Sequence, residues 1–263
     1  MASWTETQRL NHVRAFLFAQ DTTPASEIHP FSSQDVATIH DRGVRAWRFL
    51  PDPPQAPAPV STVLVHDQCE LTFLGQASGE PSGSPFPHQP QTVMTNLPLP
   101  KAQEVYYFEV KLMDLPPGTN VAIGLVTRPY PGSFCLPGQA KYSVGMDSDR
   151  GHRFYSTSFS GLPHGCKSYE GDVLGCGYRP RSGTVFFTRN GVKLDPPAFT
   201  GFRPTSIFPA VGAQGPCHLE VNLGQAGFVL IEANVKKWGL APVIEAPQPP
   251  PAYGKELGSV LLQ

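Results

Sequence analysis

The sharpest chemical signal in this 263-residue chain is Pro250-Pro251-Ala252-Tyr253. Consecutive prolines hold a backbone near polyproline II, and such a segment docks on the aromatic groove of a WW domain with little further loss of entropy. Tyr253 would fill a second pocket and donate its hydroxyl. Other Pro-Pro pairs, Pro53-Pro54, Pro116-Pro117 and Pro196-Pro197, are not followed by a tyrosine at that spacing. A single motif of this kind binds on the order of micromolar, about −8 kcal/mol, so useful recruitment needs a second contact.

The remaining reactive residue types form no catalytic or metal-binding pattern. Asp147-Ser148-Asp149 lacks the further carboxylates of a calcium loop and reads as a polar turn. His164-Gly165-Cys166 with Cys176 offers only one arm of a zinc site, and Cys176 lies in an apolar run, as a small buried hydrophobe does. There is no G-x-S-x-G, H-E-x-x-H or G-x-x-x-x-G-K-S/T motif. The reading is a non-enzyme with no metal and no cofactor. The segment 128–138 sets Tyr130 and Phe134 among Pro and Gly; they either present a binding rim or close the end of a core. His152 and Arg153, beside the polar turn, are further candidates for touching a ligand.

The elements that position these residues are short strands. Pro (30) and Gly (25) make up about a fifth of the chain, which disfavours long helices, while 40% hydrophobic content with 16 Phe argues against wholesale disorder. A net charge of −1 leaves no basic footprint for nucleic acid, and no apolar run is long enough to span a membrane. No secretory signal is visible. The five cysteines, an odd number without C-x-x-C spacing, together with the absence of any Asn-x-Ser/Thr, suit a reducing cytosolic or nuclear setting.

Leu10, Val13, Phe16 and Leu17 recur at helical spacing after Thr5. A second helix is expected from Ser32, with Asp35 completing a capping box and Gly43 ending it. After the proline-rich stretch 51–59, strands are expected at 62–66, 70–74, 92–96, 105–113, 120–127, 142–146, 153–156, 173–178, 184–189, 206–211 and 218–223. Tyr106, Phe108, Val110 and Leu112 alternate on one face, as do Leu219, Val221 and Leu223, so each strand buries one side. Glu109 and Lys111 fall on the opposite, solvated side. Asn190-Gly191 is a type I′ hairpin signal. Trp47 and Trp238 are expected to anchor the two flanks. The expected fold is all-β: a twisted antiparallel sandwich over 57–244, preceded by short helices and a linker over 1–56 and followed by a disordered Pro-rich tail over 245–263.

Four segments in order, VYYFEVKL (105–112), VAIGLVTRP (121–129), EGDVLGCGY (170–178) and GTVFFTRNGVKL (183–194), resemble a SPRY domain. TVMTNLPLP (92–100), RPYPGSFCLPG (128–138) and YSVGMDSDRGHRFYS (142–156) are in addition similar to the fungal endosomal and vacuolar SPRY adaptors. The resemblance implies a non-catalytic adaptor. Its loops, with Tyr130, Phe134, His152 and Arg153 as candidates, would hold a segment of membrane-protein cargo. Pro250, Pro251 and Tyr253 would recruit a WW-domain HECT-type ubiquitin ligase, and sorting would run to the multivesicular body or vacuole. That group carries an N-terminal membrane anchor; no such segment is seen here, and the expected place is the cytosol at the face of endosomes or the vacuole. The alternative is a general SPRY interaction scaffold unrelated to ligase recruitment.

Overall fold

The computed structural model of the chain describes residues 6–21, 31–50, 63–75, 88–157 and 161–241. The Pro250-Pro251-Ala252-Tyr253 motif lies outside these residues.

Two helices come first, α1 (Glu6–Asp21) and α2 (Ser33–Arg42). The expected capping box is present on α2. Asp35 N–H donates to Ser32 Oγ at 3.1 Å, and Ser32 N–H donates to the Asp35 carboxylate at 2.9 Å. Gly43, at φ 57°, ends the helix in a conformation other residues adopt at a cost. A 3-10 turn over Gly43–Ala46 then leads to Trp47, which is fully buried and donates its indole N–H to Pro98 O at 3.1 Å.

Fourteen strands follow among the described residues, in two antiparallel sheets of seven. The first contains β1 (Phe49–Leu50), β4 (Gln91–Thr95), β13 (Phe208–Gln214), β6 (Asn120–Val126), β7 (Val144–Asp147), β8 (His152–Tyr155) and β9 (Leu162–Pro163), in that spatial order. The second runs β12 (Val192–Lys193), β11 (Thr184–Arg189), β10 (Val173–Arg179), β5 (Tyr106–Asp114), β14 (Cys217–Asn222), β3 (Glu70–Phe73) and β2 (Val63–His66). Phe49 pairs with Thr95, so the segment before the proline-rich stretch is part of the first sheet.

The main core lies between the sheets. Tyr106, Phe108, Val110 and Leu112 from β5, with Leu219 and Val221 from β14, meet Val121, Ile123 and Leu125 from β6 and Val144 and Met146 from β7. These are the faces that period-two alternation predicts. The β11–β12 turn is the expected two-residue hairpin, with Asn190 at φ 50° and Gly191 at φ 75°. The strands β1, β9 and β12 are two residues each, too short to show a period.

Both outer faces are also covered, which alternation alone does not predict. Phe228, Leu230, Ala233 and Trp238, in and around the short helix α3 (Ile231–Val235), pack on Val105, Tyr107 and Phe186 outside the second sheet. This corrects the reading of Glu109. It is not on a solvated face: it is 3% exposed. Its carboxylate accepts from the Tyr107 hydroxyl at 2.9 Å and from the N–H groups of Val229 at 2.8 Å and Leu230 at 2.9 Å. A buried carboxylate is tolerated because three donors replace its water. Lys111, two residues on, stays exposed as expected.

Candidate interaction surface

The segment 128–142 lies across the outer face of the first sheet. Thr92 N–H donates to Gly132 O at 2.7 Å, and Thr92 Oγ1 donates to Cys135 O at 2.7 Å. Close approach needs glycine: a Cβ on Gly145 would stand 2.6 Å from the Pro137 carbonyl carbon. Tyr130 is 3% exposed and donates its hydroxyl to Leu136 O. It belongs to a buried cluster with Met94, Val126, Cys135, Ala140, Phe208 and Ala210, and Ala15 of α1. Burial raises its pKa well above the usual tyrosine value. Tyr130 thus holds the loop onto the sheet, and its ring face is used within the protein. Phe134 is half-buried against the same cluster.

The polar turn after β7 closes on Asp147, whose carboxylate accepts from His152 N–H at 2.8 Å and Arg150 N–H at 3.3 Å. Burial pushes the Asp147 carboxyl up, and these hydrogen bonds oppose the shift. His152 therefore belongs to the turn through its backbone. Arg153, the next residue of β8, points the other way.

Arg153 stands opposite Met146 and Tyr155 opposite Val144. Both partners lie in the main core, so Arg153 and Tyr155 occupy the inner face of the first sheet where it ends at β8 and β9. There they reach the segment following β12. Arg153 donates to the carbonyl oxygens of Ala198 and Pro197, and its guanidinium carbon lies 5.6 Å from the Phe199 ring centre. The Tyr155 ring lies 5.5 Å from Phe199 and 6.1 Å from Phe202, yet 48% of Tyr155 is exposed. Leu162, opposite Arg153 on the edge strand β9, is 55% exposed. His164 sets its ring edgewise to Phe187 at 6.1 Å. Its pKa is lowered, first by burial and then by Arg153. Arg153 Nε and His164 Nε2 are buried and have no hydrogen-bond partner among the described residues.

The seam between β8–β9 and the segment 195–203 thus presents an aromatic ring, an aliphatic side chain and a guanidinium together. Such a surface suits contact with another protein, because aromatic and arginine side chains dominate interface energies. Of the residues singled out from sequence, only Arg153 lies in it. Tyr155 and Leu162 were missed, although a strand through 153–156 already places Arg153 and Tyr155 on one face. A hydroxyl–imidazole–carboxylate chain exists elsewhere: Thr72 Oγ1 lies 3.0 Å from His218 Nδ1, and Glu70 Oε1 lies 3.0 Å from His218 Nε2. These are cross-strand neighbours on β3 and β14, partly open to solvent. They read as side-chain pairing on a sheet.

Among the described residues no helix is long and apolar enough to cross a membrane. A SPRY domain model matches residues 105–226. The protein ssh4 of Sclerotinia sclerotiorum is 45% identical over 256 residues, which is 97% of this chain and 45% of that protein. The corresponding figures for ssh4 of Neurospora crassa are 44% identity over 256 residues, 97% and 47%. A SPRY domain-containing protein of Schizosaccharomyces pombe is 43% identical over 219 residues, 83% of this chain and 51% of that protein. The chain spans about half the length of these relatives. A crystal structure of a human SPRY domain aligns with 25% identity and a TM-score of 0.49, covering 65% of this chain and all of that one. The chain therefore contains a SPRY domain, folds as an all-β sandwich, and is homologous over nearly its whole length to the fungal Ssh4 proteins.

Proposed function

We propose that the protein is a non-catalytic adaptor. Its SPRY sandwich takes a segment of a membrane-protein cargo, and its tail over 245–263 takes the WW domain of a HECT-type ubiquitin ligase. The ligase does the chemistry; the adaptor raises its local concentration beside cargo lysines. Work of this kind belongs at the cytosolic face of endosomes or the vacuole and directs cargo to the multivesicular body. The observation that carries the reading is Pro250-Pro251-Ala252-Tyr253, set past the last described residue of the sandwich, Ala241. A SPRY domain supplies the second contact that a lone motif of this strength needs.

The test is a labelled peptide of residues 245–263 titrated with WW domains of HECT ligases, beside a Tyr253→Ala peptide. Binding on the order of micromolar that is lost in the variant is the expected result. Equal binding of the two peptides, or none, would remove the ligase arm and leave a SPRY scaffold.

A further inference from the structure

We infer that the segment taken by the β8–β9 seam is acidic, with an aromatic or aliphatic side chain among its carboxylates. The inference rests on the proposed cargo-binding role of the sandwich and names the chemistry of what binds.

Charge in the stretch of chain that runs into the seam is lopsided. Residues 173–206 contain Arg179, Arg181, Arg189, Lys193 and Arg203 against one acid, Asp195, in a chain of net charge −1. Two of the five cations are matched from outside this stretch: Arg189 by Asp172 at 2.8 Å, and Lys193 by Glu232. Arg179 lies over the Phe186 ring, outside the second sheet; Arg181 and Arg203 are exposed and have no carboxylate at ion-pair distance among the described residues.

Their positions are set by the backbone. The turn after β10 closes with Gly183 N–H on Arg179 O at 2.8 Å. It is tied to the next loop by Gly201 N–H on Ser182 O at 3.2 Å and Phe202 N–H on Gly183 O at 2.9 Å. Gly183, at φ 65°, leaves no room for a side chain, since a Cβ there would meet Phe202 N at 2.7 Å and Arg203 Cγ at 2.8 Å. Arg181 and Arg203 therefore leave one rigid tip, and Phe202 joins that tip to the Tyr155 ring. From Arg153 beside the half-buried Phe199 to Arg203 beside the buried Phe202, cations flank the half-open Tyr155 ring. Beside it, β9 is the last strand of its sheet among the described residues, and an extended segment can lie along such an edge. An acidic peptide with one buried anchor fits this arrangement. A bilayer surface fits it less well, because the apolar groups sit at a seam between the sheets and not on a projecting face.

The full-length chain is titrated with three labelled peptide sets sharing a central Leu-Tyr pair and flanked by carboxylates, by the corresponding amides, or by lysines. The acidic set should bind about tenfold or more tighter than the amides and weaken with salt, as exposed charge contacts do. Arg181→Glu with Arg203→Glu, both exposed, should erase the preference without lowering the melting temperature. Tyr155→Ala should weaken every set that binds. Equal binding of acidic and amide sets, still sensitive to Tyr155→Ala, would overturn the acidic specificity and leave the seam as the binding site. If no set binds, the seam loses both roles. Binding to phosphatidylserine vesicles in place of peptides, lost on charge reversal, would overturn the inference by making the basic tip a membrane contact.

Discussion

Changing Glu109 to glutamine keeps the side chain's shape and turns one acceptor oxygen into a donor. In the folded protein Oε1 accepts from Tyr107 and Leu230, and Oε2 accepts from Val229. Whichever way the amide turns, one nitrogen faces at least one backbone N–H, and that N–H loses its acceptor. A hydrogen bond to a charged group contributes about 1.5–3 kcal/mol, and a buried donor left unpaired costs about 1–3 kcal/mol. These overlap, and a neutral amide avoids the desolvation of a buried carboxylate, which places the net loss near the lower end, about 2 kcal/mol. That is a large share of a total stability of about 5–15 kcal/mol. With a urea slope of about 2–3 kcal/mol/M, the midpoint should fall by about 0.7–1 M. Trp238 reports on the right layer, since its ring lies 6.4 Å from Tyr107. Tryptophan fluorescence should therefore follow the loss, with a separate early transition if the segment around α3 lifts off first. Glu104→Gln, at an exposed position, is the control and should stay within about 0.5 kcal/mol. A Glu109→Gln midpoint that coincides with this control would refute the view that the carboxylate staples the C-terminal segment to the sandwich.

Three further outcomes are expected. Burial pulls the Asp172 carboxyl up, but hydrogen bonds from Asn190, the Tyr169 N–H and Arg189 outweigh it and hold the pKa below the usual value. The unfolded chain then binds the proton more readily, so this contribution is complete above about pH 4 and is lost as pH falls through the folded value. Asp172→Asn should flatten the acid limb of Tm against pH; an unchanged limb would show that the Asp172–Arg189 pair adds nothing there. Burial pushes the thiols of Cys135 and Cys217 up to about 12 and that of Cys69 up to about 11, whereas Cys166 is exposed. Maleimide should therefore label native protein at Cys166 first, and mass spectrometry finding Cys135 labelled as fast would contradict the packing of the 128–142 segment. Gly145→Ala forces a Cβ against the Pro137 carbonyl and should cost about 1–3 kcal/mol, read as a lower Tm; an unchanged Tm would mean that segment yields easily.

Sequence alone determined what neighbours in the chain decide. The Ser32–Asp35 capping box, the Asn190-Gly191 turn and the alternation of Tyr106, Phe108, Val110 and Leu112 all follow from side chains a few residues apart, and each is present where its spacing placed it. The proposed role of the proline-tyrosine motif is argued from sequence for the same reason, because a linear motif carries its recognition without a fold. The tertiary structure decided what depends on distant segments. Glu109 is buried because Val229 and Leu230, 120 and 121 residues on, return over its strand. Tyr130 is turned inward because Met94, Phe208 and Ala210 meet it on the outer face of a sheet that alternation treats as solvated. Tyr155 meets Phe199 only where the edge of the first sheet reaches the segment after β12, and Leu162 stands beside Arg153 only through the pairing of β8 with β9. Periodicity records which side of a strand a residue takes; only packing between remote strands and loops settles whether that side meets water, core or another protein.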